Sequence, residues 1–335
     1  MARDNNKGET LIEVENLTVH FVSREITVYA VNGVNFTLKA GEVLCILGES
    51  GSGKSVTLRS LMWLLPEGKT QIAGQINVVG HDILGLNRRA LSHLRGDKIA
   101  MIFQEPMTAL DPVYTIGHQI AETIVQHKGT SYDAARKRAL ELLQMVQIPS
   151  PRRRLRAYPH ELSGGLRQRA MIAMALSCEP SVLLADEPTT ALDASVQIQI
   201  LLLLRSLQEE IGMGIIFVTH DLGVASEVAD RVAVMYAGRF VEVGLVRDIV
   251  HHPMHPYTQG LLGSTVRGAQ RNQRLTTIPG SPPNMENLPH GCSFAPRCPH
   301  AEDRCMEAVP AEIEIGPEWV ARCIKIPAWL DFAKP

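Results

Sequence analysis

Residues 11–21 and 28–38 alternate between apolar and polar side chains, with a period of two. That period is typical of a strand with one face in a core and one face in water. Continuous apolar runs with the length of fully buried strands follow at residues 43–47, 99–103, 182–185 and 214–218. Such runs predict strands of a parallel sheet that is covered on both faces.

Helical spacing of apolar residues appears at residues 56–65, 132–146 and 165–177, and residues 232–243 predict a late hairpin that turns at Gly238. Strands are replaced by helices between about 106 and 178, which predicts an α/β domain with an inserted helical subdomain. Prolines cluster at 278–283, where we expect a linker into a tail. We therefore expect one large domain at 1–260 and a small extension at 261–335.

A glycine-rich segment at residues 48–55 directly follows the apolar run at 43–47 and matches the pattern G-x-x-x-x-G-K-[ST]. Its glycines allow successive backbone N–H groups to point at phosphate oxygens, and the next helix adds its positive end. In this pattern Lys54 reaches the β and γ phosphates, and the Ser55 hydroxyl binds Mg²⁺. The segment predicts a nucleoside triphosphate as ligand.

Two carboxylates, Asp186 and Glu187, end the apolar run that begins at residue 182. Ligands of open α/β sheets bind at the carboxyl ends of the strands, so these side chains are candidates for chemistry. Asp186 is predicted to hold Mg²⁺, directly or through water. Glu187 is predicted to accept a proton from the attacking water.

A second anion-binding helix start is predicted at Ser163-Gly164-Gly165, shortly before the carboxylate strand. At this spacing the segment resembles the signature motif of the ATP-binding cassette (ABC) ATPases. Gln104 matches the family's Q-loop glutamine, Ala191-Leu192-Asp193 matches its D-loop, and His220 matches its switch histidine. Leu166 departs from the pattern, because many members carry glutamine there.

The resemblance covers about residues 10 to 260 and implies a P-loop NTPase (RecA-like) core with an antiparallel β subdomain and the inserted helical subdomain. It also implies a head-to-tail dimer that encloses two ATP molecules with Mg²⁺, opened by hydrolysis. Phe21 is the expected aromatic contact of adenine, with Tyr29 as the alternative. The expected nucleotide contacts are Phe21, Gly48, Glu49, Ser50, Gly51, Ser52, Gly53, Lys54, Ser55, Val56, Ser163, Gly164, Gly165 and Asp193; the expected catalytic residues are Glu187, His220, Lys54 and Gln104; the expected Mg²⁺ ligands are Ser55, Gln104 and Asp186.

The segment from His255-Pro256-Tyr257 onward resembles the C-terminal extension of the oligopeptide/dipeptide/nickel importer ATPases, over about residues 255 to 325. That resemblance implies peptide import as the function. It implies two membrane permeases, a second and similar ATPase, and an extracytoplasmic solute-binding protein as partners. The chain would then lie at the cytoplasmic face of the inner membrane.

Four cysteines of this extension, Cys292, Cys298, Cys305 and Cys323, have the spacing C-x5-C-x6-C-x17-C. Four thiolates hold either a [4Fe–4S] cluster or Zn²⁺. Structural zinc sites usually contain tight C-x2-C pairs, so the spacing favours the iron–sulfur cluster. Zn²⁺ and unligated thiols remain alternatives, while Cys45 and Cys178 are predicted to be buried apolar residues.

The net charge is −2, so bulk electrostatics do not attract this chain to nucleic acid. No secretory signal and no uncharged apolar run long enough to span a bilayer occurs in the sequence. These features predict a soluble, cytoplasmic protein that docks on membrane partners. The alternative function, a soluble ABC ATPase acting on nucleic acid or ribosomes, has neither a basic patch nor a heptad run in its favour.

Overall fold

The computed structural model describes residues 8–190, 192–264 and 277–332. Two compact units account for them. The first unit contains described residues of 1–12, 37–42 and 77–218, and the second unit contains those of 13–36, 43–76 and 219–335.

The strands of the described residues are β1 (Thr10–Val22), β2 (Thr27–Lys39), β3 (Val43–Leu47), β4 (Thr70–Val78), β5 (His81–Asp82), β6 (Ile99–Ile102), β7 (Val182–Asp186), β8 (Gly214–Thr219), β9 (Arg231–Tyr236), β10 (Arg239–Leu245), β11 (Ile313–Gly316) and β12 (Trp319–Ala321). The helices are α1 (Lys54–Leu61), α2 (Arg88–Asp97), α3 (Pro106–Ala109), α4 (Ile116–Lys128), α5 (Tyr132–Met145), α6 (Pro151–Arg154), α7 (Gly164–Ala175), α8 (Ala194–Ile211), α9 (Leu222–Val228), α10 (Val246–His251), α11 (Pro256–Gly263), α12 (Arg304–Glu307) and α13 (Ile326–Phe332). The apolar runs of the sequence correspond to β3, β6, β7 and β8.

In the first unit, β7 lies between β6 and β8, and both pairings are parallel. Every residue of these three strands is buried, as their continuous apolar sequences predict. Helices α3 to α7 fall between Pro106 and Ala175, where the helical subdomain was predicted. The side chain of Asp193 caps the N-terminus of α8, and the left-handed Gly212 caps its C-terminus.

In the second unit, β9 pairs in parallel with β3 and antiparallel with β10. The β9–β10 turn places Tyr236 opposite Arg239, which is the hairpin predicted around Gly238. Strands β12 and β11 of the extension continue this sheet beyond β10, with Glu242 opposite Ala321. The extension therefore shares a sheet with the strand that precedes the glycine-rich segment.

Candidate nucleotide-binding site

The glycine-rich segment lies in the second unit, between the fully buried strand β3 and helix α1. A Cβ atom on Gly48 would lie 2.2 Å from the carbonyl oxygen of Met235, and one on Gly53 would lie 2.3 Å from that of Ala30. Gly53 also has a left-handed φ of 108° and forms the N-cap of α1. Only glycine fits at these two positions, because the loop is pressed against neighbouring backbone.

Lys54 is buried at the first position of α1, and its ammonium group lies back over the loop. Its Nζ donates to the carbonyl oxygens of Gly48 at 2.8 Å and Glu49 at 2.9 Å. The next residue, Ser55, is half-buried. The backbone N–H groups at the start of α1 and the Lys54 ammonium group form a positively polarised end, which suits a phosphate.

Glu49 is the one acidic residue of the loop, and it makes contacts that the sequence does not predict. Its carboxylate forms a two-bond ion pair with Arg297, at 2.9 and 3.1 Å. Its backbone N–H donates to the Tyr257 hydroxyl oxygen at 2.9 Å. No local sequence pattern indicates that Glu49 pairs with Arg297, because Arg297 lies 248 residues further along the chain.

The aromatic candidates for adenine also lie in the second unit. Phe21 is half-buried on β1, whereas Tyr29 is exposed on β2 and its ring meets that of His20 edge-on at 4.7 Å. The Tyr29 N–H donates to the carbonyl of Met285 at 2.9 Å, so the segment beyond residue 277 runs beside this strand. His220 is exposed and directly follows β8, one residue before Asp221 caps α9.

In the first unit, the predicted catalytic carboxylates stand where β7 ends. Asp186 is 2% exposed and lies opposite Val218 of β8. Glu187 has a left-handed φ of 45°, an uncommon backbone conformation for a residue with a side chain. Its N–H donates to the Val218 carbonyl at 3.1 Å, which fixes this turn.

The structure brings the side chains of Gln104 and Glu187 together. The Gln104 Nε2 donates to Glu187 Oε2 at 3.4 Å, and the Thr190 hydroxyl donates to the same oxygen at 2.9 Å. Two donors on one carboxylate oxygen orient the Glu187 side chain. Thr190 was not among the predicted site residues.

The Ser163-Gly164-Gly165 segment begins α7, and Ser163 is its N-cap without using its hydroxyl as the cap. Ser163 and Gly164 are exposed, so their polar groups face solvent. A Cβ atom on Gly165 would lie 2.7 Å from Cγ1 of Val196, which shows how closely α7 approaches α8. A cleft of about 130 Å³ next to this segment is lined by Gln104, Glu105, Pro106, Met107, Gly164, Arg167, Gln168, Pro188 and Leu192.

Asp193 caps helix α8, and its carboxylate accepts from the Ser195 hydroxyl at 2.7 Å and from the Val196 N–H at 3.0 Å. These hydrogen bonds, that of Ser195 first, lower the pKa of Asp193. The carboxylate is therefore ionised at neutral pH. Ala191, the first residue of the predicted D-loop, lies outside the described residues.

The four cysteines of the extension line one cavity of about 20 Å³, together with His255 and Phe294. Burial raises the pKa of Cys292 and Cys298, and it raises the pKa of Cys323 to about 11. Within residues 8–190, 192–264 and 277–332, no group of three or more His, Cys, Asp or Glu side chains is arranged to hold a metal ion. The four thiols line one cavity, but the described residues give no support for the predicted iron–sulfur cluster.

Cys45 and Cys178 are both buried, as predicted. Burial raises the pKa of the Cys45 thiol far above its ordinary value and also raises that of Cys178. Both thiols are neutral at physiological pH, so they act as small apolar residues.

Two protein-family models match the chain. The ABC transporter model matches residues 31–190, and the model of the oligopeptide/dipeptide transporter C-terminal region matches residues 241–305. The second match covers most of the hairpin strand β10, helix α11 and three of the four cysteines.

Several curated proteins are similar over nearly the full chain. The oligopeptide transport ATP-binding protein OppD of Salmonella typhimurium is 49% identical over 95% of this chain and 94% of its own length. The dipeptide transport ATP-binding protein DppD of Bacillus subtilis is 49% identical over 91% of both chains. A putative peptide import ATP-binding protein of Brucella abortus is 48% identical over 97% of this chain and 99% of its own length.

Solved structures of nucleotide-binding cassettes have the same fold. A dimeric post-hydrolysis state of the ATP-binding cassette MJ0796, bound to ADP and Pi, has a TM-score of 0.63 and 33% identity. It covers 70% of this chain and 99% of that chain. The cassette cbiO1 of Clostridium perfringens, part of an ABC transporter complex, has the same TM-score with 29% identity over 74% of this chain and 92% of that chain. The predicted P-loop NTPase fold is confirmed.

Proposed function

Because the chain belongs to the ABC transporter ATPases, and to the group with the oligopeptide/dipeptide transporter C-terminal region, we propose that it powers the import of di- or oligopeptides. The observation that carries this proposal is the similarity to peptide-import ATP-binding proteins along more than nine-tenths of the chain, extension included. Nothing in the described residues favours the alternative, a soluble ABC ATPase that acts on nucleic acid or ribosomes.

In this proposal the loop of residues 48–55 binds the triphosphate of ATP. The start of α1 and the Lys54 ammonium group supply positive charge where the phosphates sit. Ser55, Gln104 and Asp186 would hold Mg²⁺, and its charge would offset that of the phosphates. Phe21 or Tyr29 stacks on adenine.

Glu187 accepts the proton of the attacking water, and His220 contacts the γ-phosphate. The hydrogen bonds from Gln104 and Thr190 to Glu187 Oε2 support this role because they fix the orientation of the carboxylate. The left-handed turn at Glu187 fixes where the side chain leaves the sheet. Most of the rate enhancement comes from positioning and electrostatics, as in other phosphoryl transfers.

The exposed Ser163 and Gly164 contact the nucleotide of a second ATPase in a head-to-tail dimer, and Asp193 lies at that interface. Exposure of this helix start supports the assignment, since a partner's phosphates can reach its N–H groups. We propose a paralogous ATPase as the partner, two membrane permeases as the docking platform, and an extracytoplasmic solute-binding protein as the source of peptide.

No helix in the part of the chain that the structure describes is long and apolar enough to cross a membrane. We propose that the chain lies at the cytoplasmic face of the inner membrane by binding its permeases. The cleft next to Gln104 and α7 is the proposed receptor for short permease helices.

Peptide uptake by cells tests the proposed function. Cells that lack this chain should take up a radiolabelled dipeptide far more slowly, and the wild-type chain should restore uptake. A Lys54→Ala chain should not restore it, and uptake of a free amino acid should not change. Normal dipeptide uptake without the chain would overturn the proposal, and a ribosome or RNA bound to the purified protein would favour the alternative.

A [4Fe–4S] cluster at the four cysteines, with Zn²⁺ as the alternative, remains a proposal about the extension. Its support is that all four thiols line one cavity. Thiols must lose their protons to bind a cluster, and burial opposes that step because it raises the pKa of Cys292, Cys298 and Cys323. No preformed metal-binding group is found among the described residues.

Metal analysis of anaerobically purified protein decides between a [4Fe–4S] cluster, Zn²⁺ and unligated thiols. About four irons and four sulfides per chain are expected for the cluster. They should be lost in a Cys298→Ser variant and kept in a Cys178→Ala variant, whose cysteine lies outside the cavity. Zinc without iron would support the Zn²⁺ alternative, and the absence of both metals would show that the four thiols serve only in packing.

A further inference from the structure

Arg297 belongs to the extension, and its side chain binds the glycine-rich loop at residues 48–55. Its two terminal nitrogens donate to the two carboxylate oxygens of Glu49, at 2.9 and 3.1 Å. The Arg297 side chain is 6% exposed and that of Glu49 is 25% exposed. A two-bond pair of this kind fixes orientation as well as charge, and a largely buried pair is screened little by salt.

Arg297 is itself held in place by contacts that do not involve Glu49. Its Nε donates to the Pro279 carbonyl at 2.8 Å, and a terminal nitrogen donates to the Tyr236 hydroxyl oxygen at 3.2 Å. The guanidinium carbon lies 5.8 Å from the ring centre of Tyr236 and 6.0 Å from that of Phe294. These contacts fix the guanidinium group independently of Glu49, so it can hold the loop in one position.

A second contact holds the backbone of the same loop residue. The Glu49 N–H donates to the Tyr257 hydroxyl oxygen at 2.9 Å. The Tyr257 ring packs against Tyr236 at 4.6 Å and against Phe294 at 5.4 Å. One aromatic cluster thus supports both the guanidinium group and the hydroxyl that contact Glu49.

The charge of Glu49 gives this arrangement a consequence for ligand binding. An unpaired carboxylate in a loop that binds a triphosphate would repel the ligand, whereas Arg297 neutralises it. Burial lowers the pKa of Arg297, but hydrogen bonds to Glu49 and Tyr236 outweigh this effect and raise it, so the guanidinium group is always charged.

We propose that Arg297 is a positioning residue for ATP binding: it fixes Glu49, neutralises its carboxylate and thereby keeps the loop in shape for the triphosphate. The inference rests on the proposed assignment of residues 48–55 to ATP. It makes the extension a structural part of the nucleotide site, in addition to any role of its cysteines.

Kinetics of ATP hydrolysis by the purified full-length chain, or by its transporter complex, test the proposal. Arg297→Met should raise the KM for ATP about tenfold, which corresponds to about 1.4 kcal/mol, with kcat changed less than threefold. Arg297→Lys keeps the charge but loses the two-bond geometry, so its KM should rise about threefold.

The double variant Glu49→Gln/Arg297→Met leaves no unpaired charge but still lacks the two-bond contact, so its KM should fall from about tenfold to about threefold above wild type, as in Arg297→Lys. The matched control is Arg322→Met. Arg322 also belongs to the extension, pairs with Glu312 at 2.8 Å and donates to a proline carbonyl at 3.2 Å, without contact to the loop. Its KM should stay at the wild-type value.

A KM of Arg297→Met no higher than that of Arg322→Met would overturn the proposal, and so would a double variant that stays as impaired as the single one. Urea unfolding shows whether each variant is folded. If Arg297→Met does not fold, Arg297→Lys decides, and an unchanged KM would refute the role. Lys54→Ala separates a failure of this inference from a failure of the proposed ATP site. If Lys54→Ala binds ATP normally, the assignment of residues 48–55 to ATP is wrong.

Discussion

Substitution of Gly48 by alanine tests how tightly the glycine-rich loop at residues 48–55 is packed. The added Cβ would lie 2.2 Å from the Met235 carbonyl oxygen, and side-chain carbons tolerate no approach closer than about 3.0 Å. Loop and strand must therefore separate by about 0.8 Å. Met235 cannot easily yield, because β9 is buried and paired with β3 on one side and β10 on the other.

Overpacking against fixed backbone typically costs about 1–3 kcal/mol, and we expect Gly48→Ala to fall near the upper end. The displacement also moves the Gly48 carbonyl that accepts from Lys54 Nζ at 2.8 Å. A loop displaced by this distance should bind ATP at least tenfold more weakly, since positioning errors of this size disrupt phosphate contacts.

Urea unfolding and binding of a fluorescent ATP analogue measure the two effects. Gly68→Ala is the matched control, because Gly68 has a φ of 72° but open space around its Cβ position. It should lose about 1 kcal/mol through backbone strain and bind ATP normally. If Gly48→Ala is no less stable than Gly68→Ala and binds ATP as wild type does, the close approach described here is wrong.

Two further predictions concern stability. Burial lowers the pKa of His255 to about 3, whereas an unfolded histidine titrates near 6.5, so the unfolded chain binds a proton that the folded chain does not. Stability should therefore fall as the pH drops below 6.5, by about 2 kcal/mol at pH 5. Urea titrations at pH 7 and pH 5 should show that His255→Asn loses this part of the pH dependence. An equal loss of stability between the two pH values in wild type and variant would refute the prediction. Asp193→Ala should destabilise the protein by about 1 kcal/mol, because it removes the cap of α8. Asp193→Asn should cost only a few tenths of a kcal/mol, because asparagine caps a helix equally well. If calorimetry finds both variants equally unstable, the charge of Asp193 matters and not its cap.

Local sequence patterns were sufficient for much of the fold. The fully buried strands β3 and β7 follow from continuous apolar runs, and the glycine-rich loop and the Asp186-Glu187 pair follow directly from where those runs end. The β9–β10 hairpin follows from two short apolar stretches joined at Gly238. Such features depend on residues close in sequence, so one sequence is enough to predict them.

The contacts of the extension could not be predicted in the same way. Glu49 and Arg297 are 248 residues apart, and neither has a neighbour pattern that marks an ion pair. Thr190 was not predicted as a site residue, because a threonine that follows a turn such as the one at Pro188 usually caps a helix or faces solvent. The four cysteines were found by their spacing, but their spacing does not reveal how small the cavity between them is.

ATP hydrolysis by the Glu187→Gln variant tests the central claim most directly. Gln104 and Thr190 can still donate to the amide oxygen, so ATP should bind as in wild type while the base is lost. We expect hydrolysis to fall by at least 100-fold, as removal of a general base typically does. Glu209→Gln, which alters an exposed carboxylate paired with Arg205, should hydrolyse ATP at the wild-type rate. A Glu187→Gln protein that hydrolyses ATP within threefold of wild type would contradict the account of this site.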